Sequence, residues 1–157
     1  MQGLSRRSAW LSERIEAFLR EYRAPLRLAV KAGSDYPMIC SLWFRYRDGR
    51  LLCATKDDST VARRLRADPR CGFELAPNEP PYFGVRGRGR ASIVSEGAVE
   101  LLGELIDRYL GGRDSELATW LLRSSENEVT LAIEPEWATS WDYSPRMAPV
   151  ASGSAGC

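Results

Sequence analysis

A chain of 157 residues fits one domain better than two and is long enough to bury a single hydrophobic core. Its 22 basic side chains against 21 acidic ones leave a formal charge of +1, so no long-range field draws it to nucleic acid or to an anionic membrane surface. It contains no histidine, which excludes Ser-His-Asp and Cys-His catalysis together with histidine-ligated zinc and haem.

Leu11, Ile15, Phe18, Leu19 and Tyr22 recur at helical spacing behind Ser12 and Glu13, which predicts a first helix over residues 12–22. Leu26, Leu28 and Val30 alternate with Arg27 and Ala29, giving strand one, before a Gly33-Ser34-Asp35 turn. Pro37 opens an apolar run through Tyr46, strand two. Asp48-Gly49 is a two-residue hairpin signal, because a type I′ turn needs positive φ at both central positions. Strand three then covers residues 50–55, with Arg47 paired to Arg50. In that register Phe44 faces Cys53 and Cys40 lies about 13 Å further along the strand, too far for a disulfide. Cys40, Cys53, Cys71 and Cys157 form no CxxC pair and no metal-finger spacing, so they are read as reduced thiols.

Asp57, Asp58, Ser59 and Thr60 begin a short helix through Val61, Ala62 and Leu65, closed by Asp68-Pro69. Residues 71–76 form strand four and Asn78-Glu79-Pro80-Pro81 a loop. A long strand over 82–94 places Val85, Gly87, Gly89, Ala91 and Ile93 on one face and Arg86, Arg88 and Arg90 on the other. Ala98, Leu101, Leu102, Leu105, Ile106 and Tyr109 make an amphipathic helix stopped by Gly111-Gly112, and Leu117, Trp120 and Leu121 mark a shorter one. Val129, Leu131 and Ile133 alternate into Pro135, and the strand resumes over 137–141. Residues 1–143 are read as a single domain and residues 144–157, rich in Pro, Ala, Ser and Gly, as a disordered tail. No apolar stretch approaches a membrane span, and the chain is expected to be soluble and cytoplasmic. About six strands with helices set between them indicate an α+β, mainly β, antiparallel architecture closing into a barrel, and a doubly wound sheet fits poorly.

The run Leu42-Trp43-Phe44-Arg45-Tyr46-Arg47-Asp48-Gly49-Arg50-Leu51, then Thr55 with Ser59 four residues on and Asp68-Pro69-Arg70, resembles the pyridoxamine 5′-phosphate oxidase-like, FMN-binding split-barrel family. The leading Leu11-Ser12-Glu13-Arg14-Ile15, the strand through Val85 and Ala91, and the closing Ile133-x-Pro135 and Trp141-Asp142 follow in the family's order. The resemblance implies a homodimeric split β-barrel with FMN, or in relatives the deazaflavin F420, in a groove between subunits. By position it implies that Ile39, Leu42, Trp43 and Phe44 run along the flavin ring through their backbone. Ala54 and Thr55 would flank the ribityl chain, and Ser59 with Thr60 would donate to the phosphate. Trp141, beside Trp137, would close over a flavin held mainly by the partner. A helix starting at Ser59 also suits a phosphate on physical grounds alone, since its first N–H groups and positive dipole end are unpaired.

The chain departs from the family pattern where cations commonly follow the serine, having Thr60-Val61 there. Substitutes are Lys56, Arg63 or Arg64, and Arg86 or Arg88, opposed by Asp57 and Asp58. Arg86, Arg88 and Arg90 read equally as a solvated strand face, and neutral net charge argues against RNA binding. Gly87 and Gly89 do not form a dinucleotide fingerprint and are expected to permit close backbone approach. The expected function is an FMN-dependent oxidoreductase acting on a small molecule, in which the cofactor carries the redox chemistry and no side chain has a catalytic assignment. Two alternatives stand beside it: an F420-dependent reductase of the same fold, and a non-catalytic small-molecule-binding dimer.

Overall fold

A computed structural model describes residues 3–33 and 36–147. Ser34 and Asp35 of the expected turn, Cys157 and most of the expected tail lie outside the described residues. The elements run α1 (Ser12–Glu21), β1 (Leu26–Lys31), β2 (Pro37–Leu42), β3 (Arg45–Arg47), β4 (Arg50–Lys56), α2 (Thr60–Ala67), β5 (Arg70–Leu75) and β6 (Phe83–Val94). Then come α3 (Ala98–Leu110), α4 (Glu116–Arg123), β7 (Glu128–Asp142) and the single turn α5 (Ser144–Met147). No helix among the described residues is long and apolar enough to cross a membrane.

The strands form one antiparallel sheet in the order β2-β1-β5-β6-β7-β4-β3. Its two edge strands are joined by Trp43 and Phe44 alone. In a flat seven-stranded sheet they would lie about 29 Å apart, whereas the three Cα steps from Leu42 to Arg45 span at most about 11 Å. The sheet therefore curls until its edges meet, and the expected α+β antiparallel barrel is what forms. It has seven strands because the apolar run 37–46 divides: its first part pairs with β1 and its end with β4. Hydrophobicity is continuous through the division, since the crossing residue Phe44 is fully buried, so the pattern carries no mark of the change of partner.

The hairpin register holds, with Arg47 opposite Arg50 and φ of 51° at Asp48 and 77° at Gly49. Cys40, Cys53 and Cys71 are free thiols, and burial pushes the Cys53 thiol far up and that of Cys71 up to about 12. In the core, Leu26, Leu28 and Val30 of β1 meet Leu51, Phe73, Leu75, Val85, Leu131 and Ile133, sealed by Ile15 and Leu19 of α1 and Val61, Ala62 and Leu65 of α2. A smaller cluster, Leu102, Ile106 and Ala118, joins α3 to α4, with Trp43 and Ala54 leaning on it.

β6 and β7 form a long antiparallel pair, with α3 and α4 between them in the chain, whose register slips between Arg88, opposite Trp137, and Gly89, opposite Pro135, leaving Glu136 extra. Pro135 has no N–H to give the ladder, and a bulge accommodates that. The backbones are close here: a Cβ on Gly87 would meet the Trp137 carbonyl oxygen at 2.5 Å, and one on Gly89 would collide with that of Glu134.

β4 covers β7 only as far as Ile133; beyond, the N-terminal segment takes over, with Leu4 bridged to Ala138 and Ala9 N–H donating to Ser140 O at 3.2 Å. The buried Trp10 N–H donates to Ser140 Oγ at 2.8 Å, and Ser8 Oγ shares a hydrogen with the same oxygen at 2.8 Å. Ser140→Ala strands that N–H, so urea denaturation is expected to show a loss of about 1–3 kcal/mol. An unchanged midpoint would mean that the segment contributes nothing to the fold.

Candidate functional site

The barrel does not close along its whole length. β3 pairs only with residues 50–52, so residues 53–56 of β4 have β7 on one side and no strand on the other. β2, across the gap, pairs only with β1. These two unpaired edges border a cavity of ≈ 420 Å³. Ser41, Leu42 and Trp43 line it from β2 and the crossing link, and Ala54, Thr55 and Lys56 from β4. The α3 residues Leu102 and Leu105 and the α4 residues Leu117, Trp120 and Leu121 roof it.

Trp43 is held in place by stacking on Tyr109, ring centroids 5.2 Å apart and planes 4° from parallel. Tyr109 Oη accepts from the Phe44 N–H at 3.4 Å and donates to Ala24 O at 3.0 Å, fixing the crossing link from both sides. Burial raises the Tyr109 phenol above its ordinary value, which keeps it neutral and able to donate. At the far wall Lys56 Nζ contacts Glu128 Oε1 at 3.0 Å, Glu126 O at 2.9 Å and Ser124 O. Those contacts use all three ammonium donors.

Just past β4, Ser59 caps α2 by accepting from Ala62 N–H at 3.2 Å. Arg63 folds back to donate to Thr60 Oγ1 at 3.2 Å and Asp58 O at 3.0 Å, while Arg66 holds Asp57. Val61, at the position where the resembled family carries a cation, is buried in the core.

The outer face of the sheet carries a second depression, which follows from the register. Ile39, Ala29, Gly72, Arg88 and Trp137 stand in one row across five strands. The small Ala29 and Gly72 leave a groove of ≈ 360 Å³ between the larger ends of the row. Arg88 lies 5.5 Å from the Trp137 ring and Arg86 5.5 Å from the Trp141 ring.

The twelve candidate residues thus fall into separate places. Leu42, Trp43, Ala54, Thr55 and Lys56 share the split; Ile39 and Arg88 line the outer groove, and Trp141 stacks under Arg86 on that face. Ser59, Thr60 and Arg63 cluster at the start of α2. Phe44 is core, and its N–H is taken by Tyr109. Sequence reasoning missed the roof. The signal was there: Leu117, Trp120 and Leu121 share a face of an eight-residue helix, and Leu117 and Trp120 remain 47% and 62% exposed. Among the described residues, no group of three or more Cys, Asp or Glu is placed to hold a metal.

Comparison with solved structures places this geometry. A putative pyridoxamine 5′-phosphate oxidase from Listeria innocua superposes with a TM-score of 0.62 at 17% identity, over 82% of this chain and 95% of that one. The fold is the pyridoxamine 5′-phosphate oxidase-like split barrel. Two other structures superpose on this split barrel with higher TM-scores. A conserved hypothetical protein from Mycobacterium tuberculosis matches with a TM-score of 0.75 at 25% identity over 99% of both chains. A structure described as an F420 reductase matches with a TM-score of 0.67 at 21% identity, over 82% of this chain and 98% of that one. No protein-family model and no curated protein matches the sequence.

Proposed function

We propose that the split binds a flavin-type cofactor, FMN in the first instance, and that the protein is a cytoplasmic homodimeric oxidoreductase acting on a small molecule. The observation that carries this reading is the pair of unpaired strand edges bordering an apolar slot. A flat heteroaromatic ring needs apolar surface for its faces and hydrogen-bonding groups for its rim, and strand edges supply the latter from the backbone. Leu42, Trp43, Ala54 and Thr55 would hold the ring and its chain. Ser59, Thr60 and the first N–H groups of α2 would take the phosphate, with Arg63 as the nearby cation once released from Thr60 and Asp58. The bound cofactor would supply hydride or electron transfer, which fits a chain that has no histidine for acid–base catalysis.

F420 is the second reading: Thr60 and Val61 stand where the usual pair of phosphate cations would be, and the substitute Lys56 is locked to Glu128, which weakens the case for the FMN phosphate. The likeness to an F420 reductase supports the same reading. The outer groove, with Ile39, Arg88, Trp137 and Trp141 nearby, is the face we assign to the second subunit, and light scattering is expected to give twice the chain mass; a monomer would refute that assignment.

Titration of the purified protein with FMN and with F420, followed by absorbance and fluorescence, tests the cofactor. Saturable binding of one of them is the expected result. Failure of both would leave a split-barrel binding protein without a redox role.

A further inference from the structure

We infer that Lys56 is a positioning residue that caps the C-terminal end of α4 and so holds the roof down over the split; that the roof thereby retains a cofactor rests on the reading above. Lys56 and Glu128 face each other on the last rung of the β4–β7 ladder, and their 3.0 Å ion pair is an ordinary cross-strand contact. The lysine reaches further than that pair requires. Its Nζ donates to the carbonyl of Ser124, the C-cap of α4, and at 2.9 Å to that of Glu126 in the turn leading into β7. A helix end carries carbonyls without partners and the negative end of the dipole, and an ammonium group satisfies both. Asp57, next in the chain, adds a backbone tie, its N–H donating to Asn127 O at 2.8 Å. The end of β4 is therefore fastened to segment 124–128.

α4 depends on such a fastening. It has eight residues, too few for a stable helix on its own, and of these only Ala118 is fully buried. It follows Gly111 and Gly112, whose φ of 76° and 156° favour glycine, and the turn beyond it passes through Asn127 at φ 61°. At its start Ser115 Oγ accepts from Ala118 N–H at 3.1 Å, and the Arg113–Asp107 pair ties the preceding loop to α3. Among the described residues it is Lys56 that links α4 by a polar side chain to the strand edge lining the slot. Released at that end, α4 would lift Leu117, Trp120 and Leu121 away from the cavity they cover.

The test compares the parent with Glu128→Gln and with the double variant Lys56→Met, Glu128→Gln. Amide hydrogen exchange is measured on the full chain without ligand, and dissociation rates are measured for FMN and for F420. The glutamine is needed because Glu128, its side chain 8% exposed, would otherwise remain as an unpaired buried charge. In the double variant, exchange over residues 116–127 is expected to be at least about tenfold faster, with residues 50–55 and 129–133 protected as in the parent. Glu128→Gln alone keeps both carbonyl bonds and should leave exchange of the roof within about twofold of the parent. Bound cofactor is expected to leave the double variant at least about tenfold faster. Lys56→Gln in the same Glu128→Gln background is run beside it, so that a fold lost to methionine does not decide the outcome. Unchanged exchange over 116–127, or a roof loosened equally by Glu128→Gln alone, would overturn the inference, and so would a loosened roof with unchanged cofactor dissociation. A loosened roof in a protein that binds neither FMN nor F420 would refute the cofactor reading and leave the capping role of Lys56 standing.

Discussion

Replacing Phe44 with alanine is expected to cost about 3–5 kcal/mol of folding stability, among the largest losses open to a single substitution in this chain. Phe44 is fully buried and sits in the two-residue link that brings the sheet edges together. Its ring packs in the main core with the Arg108 guanidinium 6.0 Å from its centroid. Truncation removes apolar area at the one place where the curl of the sheet is imposed, and the surrounding strands cannot collapse into the space without opening the link. Urea denaturation followed by fluorescence measures the loss, and Phe44→Leu should cost markedly less because most of the volume stays. A loss below about 1 kcal/mol for the alanine variant would show that the link does not determine closure.

Filling the split has the largest expected effect on binding. Ala54→Trp puts an indole into the cavity from β4, opposite Leu42 and Trp43, and is expected to weaken flavin-type cofactor binding at least about a hundredfold, or about 2.8 kcal/mol at about 1.4 per factor of ten. Ala54 is only partly buried and lies at the edge of the small α3–α4 cluster, so the overpacking cost to the fold stays within about 1–3 kcal/mol. Cofactor titration of the folded variant, with its melting temperature recorded, separates lost binding from lost structure. Retention of parental affinity would move the cofactor out of the split.

Most of the elements were legible because periodicity and turn chemistry agreed. The Asp48-Gly49 turn set the register of β3 and β4, and the alternation in β6 put its arginines on the open face, where Arg86, Arg88 and Arg90 are all exposed. What was not legible is where a strand changes partner. Residues 37–46 read as one strand, since Phe44 continues the apolar pattern while passing from one sheet edge to the other. The same blindness scattered the site. Ile39 and Leu42 lie on a single strand, yet one lines the outer groove and the other the split, because the split opens only at the end of β2, beside the crossing link. Lys56 was a sound phosphate candidate from composition, and only tertiary structure brings it the carbonyls of Ser124 and Glu126, about seventy residues away in sequence.

The central claim, that two unpaired strand edges form a cofactor slot, is tested most directly by amide hydrogen exchange with and without saturating FMN or F420. The account predicts new protection concentrated at residues 41–43 and 54–60, the two edges and the start of α2. Protection confined to the outer face around Gly72 and Arg88, or no protection with either cofactor, would contradict it.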